Sequence, residues 1–178
     1  MSLYFAQLSM TELRNAPGEI LDRVADEGEA FIIERNGKQK ACLVPLSIFS
    51  PDIPPSRIAE EFQRLNDQGE KPRTSFTEGR EIAFSFPADK DNDSSIRIAI
   101  LLPHGYPNNC PRVTATPVRD DSPHRWADGA LCIYGVMTGW NPGKHTVLST
   151  LQLARRWVEN YEIWSSTGEW PAIGGNAE

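Results

Sequence analysis

The reactive side chains of this 178-residue sequence include three cysteines and three histidines. Cys42, Cys110 and Cys132 are odd in number and widely spaced, a pattern that suits reduced thiols better than a disulfide framework. Cys132 stands in the stretch HRWADGALCIYG (124–135), bracketed by Leu131 and Ile133, with Gly129 and His124 upstream. In that setting it reads either as a small core residue or as a displayed nucleophile, because a thiolate attacks wherever it is accessible. His124 would orient such a thiol or donate a hydrogen bond to a tetrahedral intermediate, or else serve as a structural histidine bonded to backbone. Asp128, directly before Gly129, is a turn former that could also position or deprotonate an incoming amine. Gly129 lets the chain turn tightly or lets a substrate backbone approach. Trp126 and Tyr134 are expected to pack, and His145 to cap or lie at the surface. No C-x-x-C or H-E-x-x-H pattern is present, so neither a metal site nor another cofactor is expected.

These residues need a scaffold, and the bulk composition suits a globular one. The chain is 39% hydrophobic and 24% charged, as in a soluble globular protein and not a disordered one. A net charge of -6 argues against coating nucleic acid by charge alone. No apolar run approaches the ~20 residues of a bilayer span, and MSLYFAQLSMTEL lacks the features of a signal peptide. A cytoplasmic protein with no membrane partner is expected.

The clearest break is SPDIPPSR (50–57), whose prolines fix φ and remove backbone donors. It divides a first module (1–50), a proline-rich linker (51–56) and a second module (57–178). In the first, YFAQLS alternates like a short strand, Ser9 or Thr11 can cap a helix, and Glu12 suits its positive end. Pro17 opens a second helix on which Ile20, Leu21 and Val24 recur, and Gly28 stops it. AFIIER and KQKACLVPL then flank Asn36-Gly37, a two-residue hairpin turn. So thin a core calls for a partner, which predicts a homodimer through residues 1–50 or docking on the neighbouring module. In the second module, SRIAEEFQRLND places Ile58, Phe62 and Leu65 on one helical face. REIAFSFP, SIRIAILLP and RVTATPV are strand-like, and TVLSTLQLARRWVENYEIW is an amphipathic helix with Val147, Leu151, Ala154 and Val158 in one stripe. The order helix, antiparallel meander, irregular stretch, helix is an α+β domain.

Two resemblances follow from these motifs. The first module, with T-E-L-R, G-E-I-L-D-R-V, G-E-x-F-I-I and the N-G hairpin, resembles the Phd/YefM antitoxin family. That resemblance implies a dimeric DNA-binding fold, with Arg14, Lys38 and Lys40 as candidate phosphate contacts to operator DNA. The second, over about residues 56–165, resembles the ubiquitin-conjugating enzyme (UBC) family, through Y-P-x-x-x-P-x-V, then G-A-L-C, then W-N-P before T-V-L-S-T-L-Q. Its tail resembles bacterial relatives found beside ThiF-type activating enzymes in antiphage systems such as CBASS. This resemblance maps Cys132 onto the thioester-forming cysteine, Tyr106, Pro107 and Pro111 onto a structural turn, and Trp140 and Pro142 onto the segment beside the active site. Cys110 stands where the family has the first proline of a pair, and the family's H-P-N tripeptide is missing.

The implied activity is acceptance of a ubiquitin-like protein, or a protein C-terminus, from a ThiF-type activating enzyme, followed by transfer to an amine on a protein acceptor. Two rivals remain. One is a Cys–His hydrolase using Cys132 with His124 or His145, although such enzymes generally set the cysteine at a helix N-terminus. The other is a Phd/YefM-type repressor whose second domain only binds a ubiquitin-like partner.

Overall fold

The computed structural model describes residues 5–48, 52–89, 95–134 and 139–171. The chain divides into two compact units, Met1–Pro51 and Asp52–Glu178.

The first unit is a three-stranded sheet with two helices. β1 (Phe5–Ser9) runs parallel to β2 (Ala30–Arg35), which pairs antiparallel with β3 (Lys38–Leu43). Between β1 and β2 lie α1 (Met10–Asn15) and α2 (Pro17–Asp26). Ser9 starts α1 with a reciprocal cap, its Oγ accepting the Glu12 amide at 3.2 Å while the Glu12 carboxylate accepts the Ser9 amide at 2.8 Å. Pro17 occupies the first turn of α2, where no donor is lost. Asn36 and Gly37 both take positive φ (54° and 66°), as the tight hairpin turn requires. Leu8, Ile20, Val24 and Phe31 form the small core. Leu21 differs from the expected stripe: it is 52% exposed, because the face set by Ile20 and Val24 turns it outward. Arg14, in the last turn of α1, and Lys38 and Lys40 on β3 are exposed. Glu34 pairs with Gln39 and Ile33 with Ala41, so Lys40 is the extra residue of a β-bulge.

The second unit is α+β. α3 (Pro55–Asp67) precedes the antiparallel meander β4 (Arg73–Phe76), β5 (Ile82–Pro87), β6 (Arg97–Leu102) and β7 (Arg112–Thr116). α4 (Val147–Thr167) closes the order. β5 and β6 alternate strictly, and the pairs Ile82–Leu102, Phe84–Ile100 and Phe86–Ile98 are buried face to face. Val147, Leu151, Ala154 and Val158 of α4 join the same core. Phe62 of α3 meets Phe84 edge to face at 5.2 Å. The proline-rich stretch read as a linker lies partly inside this unit. Ile53 is 1% exposed, and Pro54 and Pro55 form the cap and first residue of α3. A proline costs nothing at a helix start, so the residues that break structure before α3 also begin it. β4 carries no apolar alternation, all four residues being exposed, and the sequence offers no signal for it.

Candidate active site

Cys132 closes a small hairpin. Trp126 and Ala130 are joined by the Ala130 carbonyl accepting the Trp126 amide at 2.8 Å, and the Gly129 amide donates to the Trp126 carbonyl at 2.9 Å. Gly129 sits at φ 81°, the left-handed position such a three-residue loop needs. The Asp128 carboxylate accepts the Ala130 amide at 3.0 Å. Arg125 bridges Leu131, and the Cys132 amide donates to the His124 carbonyl at 2.8 Å. The hairpin is fastened to the outer edge of β7 twice. Leu131 donates its amide to the Val113 carbonyl at 2.8 Å, and Arg112 donates to the Asp128 carboxylate (3.1 Å) and carbonyl (2.6 Å). Leu131 is buried and Ile133 packs on the core, while Cys132 between them is part-exposed.

An aromatic group follows on the chain. The Tyr134 hydroxyl meets Thr150 Oγ1 of α4 at 2.6 Å, and its ring lies 5.4 Å from Trp140 and 5.2 Å from His145. Trp140 donates its indole N–H to the Pro107 carbonyl at 2.6 Å, and its ring lies 5.7 Å from that of Tyr106, tilted by 42°. His145 Nδ1 accepts the Asn141 amide at 2.9 Å, which assigns the proton of the neutral ring to Nε2. Pro142 lies in the turn closed when the Asn141 carbonyl accepts the Lys144 and His145 amides. Burial raises the Tyr134 and Tyr106 phenols above their ordinary range, so both stay neutral donors at physiological pH.

Beneath this group lies a network that sequence reasoning missed. Glu61 of α3 is fully buried and accepts from the Tyr106 hydroxyl, from Arg57 at 2.8 Å and from the Val147 amide at 2.8 Å. Its carboxylate therefore caps the positive end of α4. Arg57 also donates to the His145 carbonyl at 2.8 Å. The available signal was an acid at position 61, between Ile58 and Leu65 on the apolar face of the helix.

The expected site residues fall into two sets. Cys132, His124, Asp128 and Gly129 share the hairpin; Tyr106, Pro107, Trp140 and Pro142 share the aromatic group, and Tyr134 joins the two along the chain. Pro111 is buried, beside Cys110. Cys110 is exposed as a residue, yet local desolvation of its thiol pushes the pKa up and keeps it protonated. The His124 side chain lies against Trp170, ring centroids 4.8 Å apart. The Ala130 amide and then Arg112 hold the Asp128 carboxyl below the ordinary range, which favours a turn anchor over a proton acceptor. Trp126, expected to pack, is 56% exposed at the hairpin. The Cys132 amide is committed to His124, so it is not free to serve as an oxyanion donor, a device hydrolases use at their nucleophile. Among the described residues no cluster of three or more His, Cys, Asp or Glu could hold a metal ion.

Comparison with known proteins treats the two parts of the chain separately. No curated protein matches the chain. Residues 6–69 match the family model described as antitoxin Phd_YefM, type II toxin-antitoxin system; the match runs on through α3, which folds with the second unit. Residues 93–177, which include β6, β7, the Cys132 hairpin and α4, match the family model described as Type II CBASS E2 protein.

Proposed function

We propose that the second unit is a conjugating enzyme of the ubiquitin-conjugation type, acting in antiphage defence through an acyl thioester on Cys132. The observation that carries this reading is the part-exposed Cys132, set between two core-packed residues on a hairpin pinned to β7, within the segment similar to Type II CBASS E2 proteins. In the first step the Cys132 thiolate attacks the carbonyl carbon of a donor thioester. A new C–S bond forms, the donor's C–S bond breaks, and the donor thiolate leaves to take up the proton that Cys132 gave to solvent. In the second, an acceptor amine attacks the same carbon; a C–N bond forms, the bond to Cys132 breaks, and the amine's proton passes to solvent. The donor is a ubiquitin-like protein, or a protein C-terminus, carried by a ThiF-type activating enzyme. Asp128 and Gly129 hold the hairpin, and Tyr106, Pro107, Pro111, Trp140 and Pro142 support the segments beside it.

The test is a non-reducing gel after mixing the protein with its activating enzyme, ATP and the ubiquitin-like partner. An adduct that thiol reductant removes is expected, lost in Cys132→Ala and made reductant-stable in Cys132→Lys. Full charging of Cys132→Ala, or loss of charging in Cys110→Ala, would overturn the assignment.

The match of residues 6–69 favours a second role for the first unit, as a homodimerising module that tethers the enzyme to operator DNA through Arg14, Lys38 and Lys40. A salt-dependent shift of operon DNA, lost on removing residues 1–50, is the expected result. No shift at low salt would leave dimerisation alone. Among the described residues no helix is long and apolar enough to cross a membrane.

A further inference from the structure

We infer that His124 serves Cys132 through its backbone carbonyl, not its imidazole, and that Trp157 is a positioning residue for Cys132 through that same carbonyl. This rests on the reading of Cys132 as the acyl acceptor. The His124 carbonyl is a shared acceptor: it takes the Cys132 amide at 2.8 Å and the Trp157 indole N–H at 3.0 Å. Both lone pairs of one oxygen are thereby used. His124 has φ 56°, a left-handed conformation uncommon for residues with a side chain and adopted most readily by Gly and Asn. Its ring lies against Trp170, centroids 4.8 Å apart and planes tilted by 43°, and Trp170 in turn lies 5.5 Å from Trp157 of α4, so the imidazole is engaged with this aromatic group.

Trp157 is buried, and its indole donor needs an acceptor there. The ring is held in turn by Tyr161, stacked at 5.6 Å with 7° between planes. Tyr161 also fixes the entry to the loop, its hydroxyl accepting the Arg119 amide at 3.1 Å. The segment from Arg119 to His124 is thus fastened to α4 at both ends. The amide of Cys132 is the last link, and holding it directs the Cα–Cβ bond from which the thiol projects.

The experiment uses the full chain and two readouts: alkylation of Cys132 by iodoacetamide, followed by peptide mass spectrometry, and thioester formation. Exposed Cys42 and Cys110 are internal controls for the first. Both rates for His124→Gly and His124→Asn are expected to exceed those for His124→Val by about tenfold, the worth of roughly one hydrogen bond. The pH–rate curve for alkylation of His124→Asn should share its midpoint with the wild type. Trp157→Phe, which keeps an aromatic ring but removes the indole donor, should slow Cys132 alkylation and lower kcat for charging by about five- to tenfold. KM for the donor and the control cysteines should not move. Equal impairment of Asn, Gly and Val at position 124, or a pH midpoint displaced in His124→Asn, would return the role to the imidazole. Unaltered Cys132 alkylation in Trp157→Phe would remove Trp157 from the positioning chain. If the wild type itself forms no thioester, the conjugation reading fails while the alkylation series still decides this one.

Discussion

Replacing Glu61 by Ala tests whether the buried carboxylate holds the second unit together. It removes the acceptor for the Tyr106 hydroxyl, for Arg57 and for the Val147 amide at once. Arg57 cannot retreat to water easily, since its side chain is 15% exposed and its buried Nε has no hydrogen-bond partner among the described residues. A buried charge that loses its partner costs ~3–5 kcal/mol, and the lower end applies here because Arg57 keeps Glu60 at 3.7 Å and the His145 carbonyl at 2.8 Å. With a urea m-value of ~2 kcal/mol/M, the unfolding midpoint should fall by ~1.5 M. Tyr106→Phe loses the hydrogen bond to the Glu61 carboxylate and a longer one from Arg57 at 3.3 Å, and should cost less, ~1.5–3 kcal/mol. Indole fluorescence isolates the relevant unit, because all five tryptophans (126, 140, 157, 164 and 170) lie in Asp52–Glu178. The double variant Arg57→Met/Glu61→Leu, which removes both charges, should be more stable than Glu61→Ala. A midpoint lowered by less than ~0.5 M in Glu61→Ala, where a typical m-value implies only ~1 kcal/mol, would refute the reasoning.

Further outcomes are expected. Gly129→Ala forces a side chain into φ 81° with its Cβ 3.1 Å from Arg125 Nη2, and should cost ~1–2 kcal/mol in the same urea experiment; an unchanged midpoint would contradict the left-handed assignment. The lowered Asp128 carboxyl means that its contribution is present above the unfolded-state pKa and is lost as pH falls through the folded one. An NMR titration should therefore find the Ala130 amide changing below the ordinary aspartate range, with Arg112→Ala moving that change upward; titration in the ordinary range would count against the pinned turn. Ser9→Ala removes the cap of α1 and should lower first-unit stability by ~1 kcal/mol, read as faster hydrogen exchange at the Glu12 amide.

Where side chains declare their environment by periodicity, the structure was legible from the sequence. The strict alternation of Ile82, Phe84 and Phe86, the stripe on α4 and the Asn36-Gly37 turn each follow from spacing alone. β4 was not legible, because an exposed edge strand of Arg, Thr, Ser and Phe has no buried face to imprint. The hairpin around Cys132 was half legible: Asp128-Gly129 announced the turn, but nothing local shows that Leu131 docks on Val113. Glu61 does not stand out in the sequence, because Ile58, Phe62 and Leu65 satisfy the helical period without it. The identity of His124 draws attention to its ring, whereas its hydrogen bonds to Cys132 and Trp157 run through its main-chain carbonyl, which residue identity does not encode.

The placement of Cys132 between Leu131 and Ile133 makes thiol display a matter of parity. Nothing about cysteine itself keeps it out of the core; an odd count from the anchored residue on each side does. Chemical drift at neighbouring positions is then easily tolerated, provided Leu131 and Ile133 stay apolar. A single residue inserted between Leu131 and Cys132 would bring the sulfur to the side that Leu131 now occupies and bury it, although every side chain of the site would still be present. The length of this segment, more than its composition, is what such a site has to keep constant.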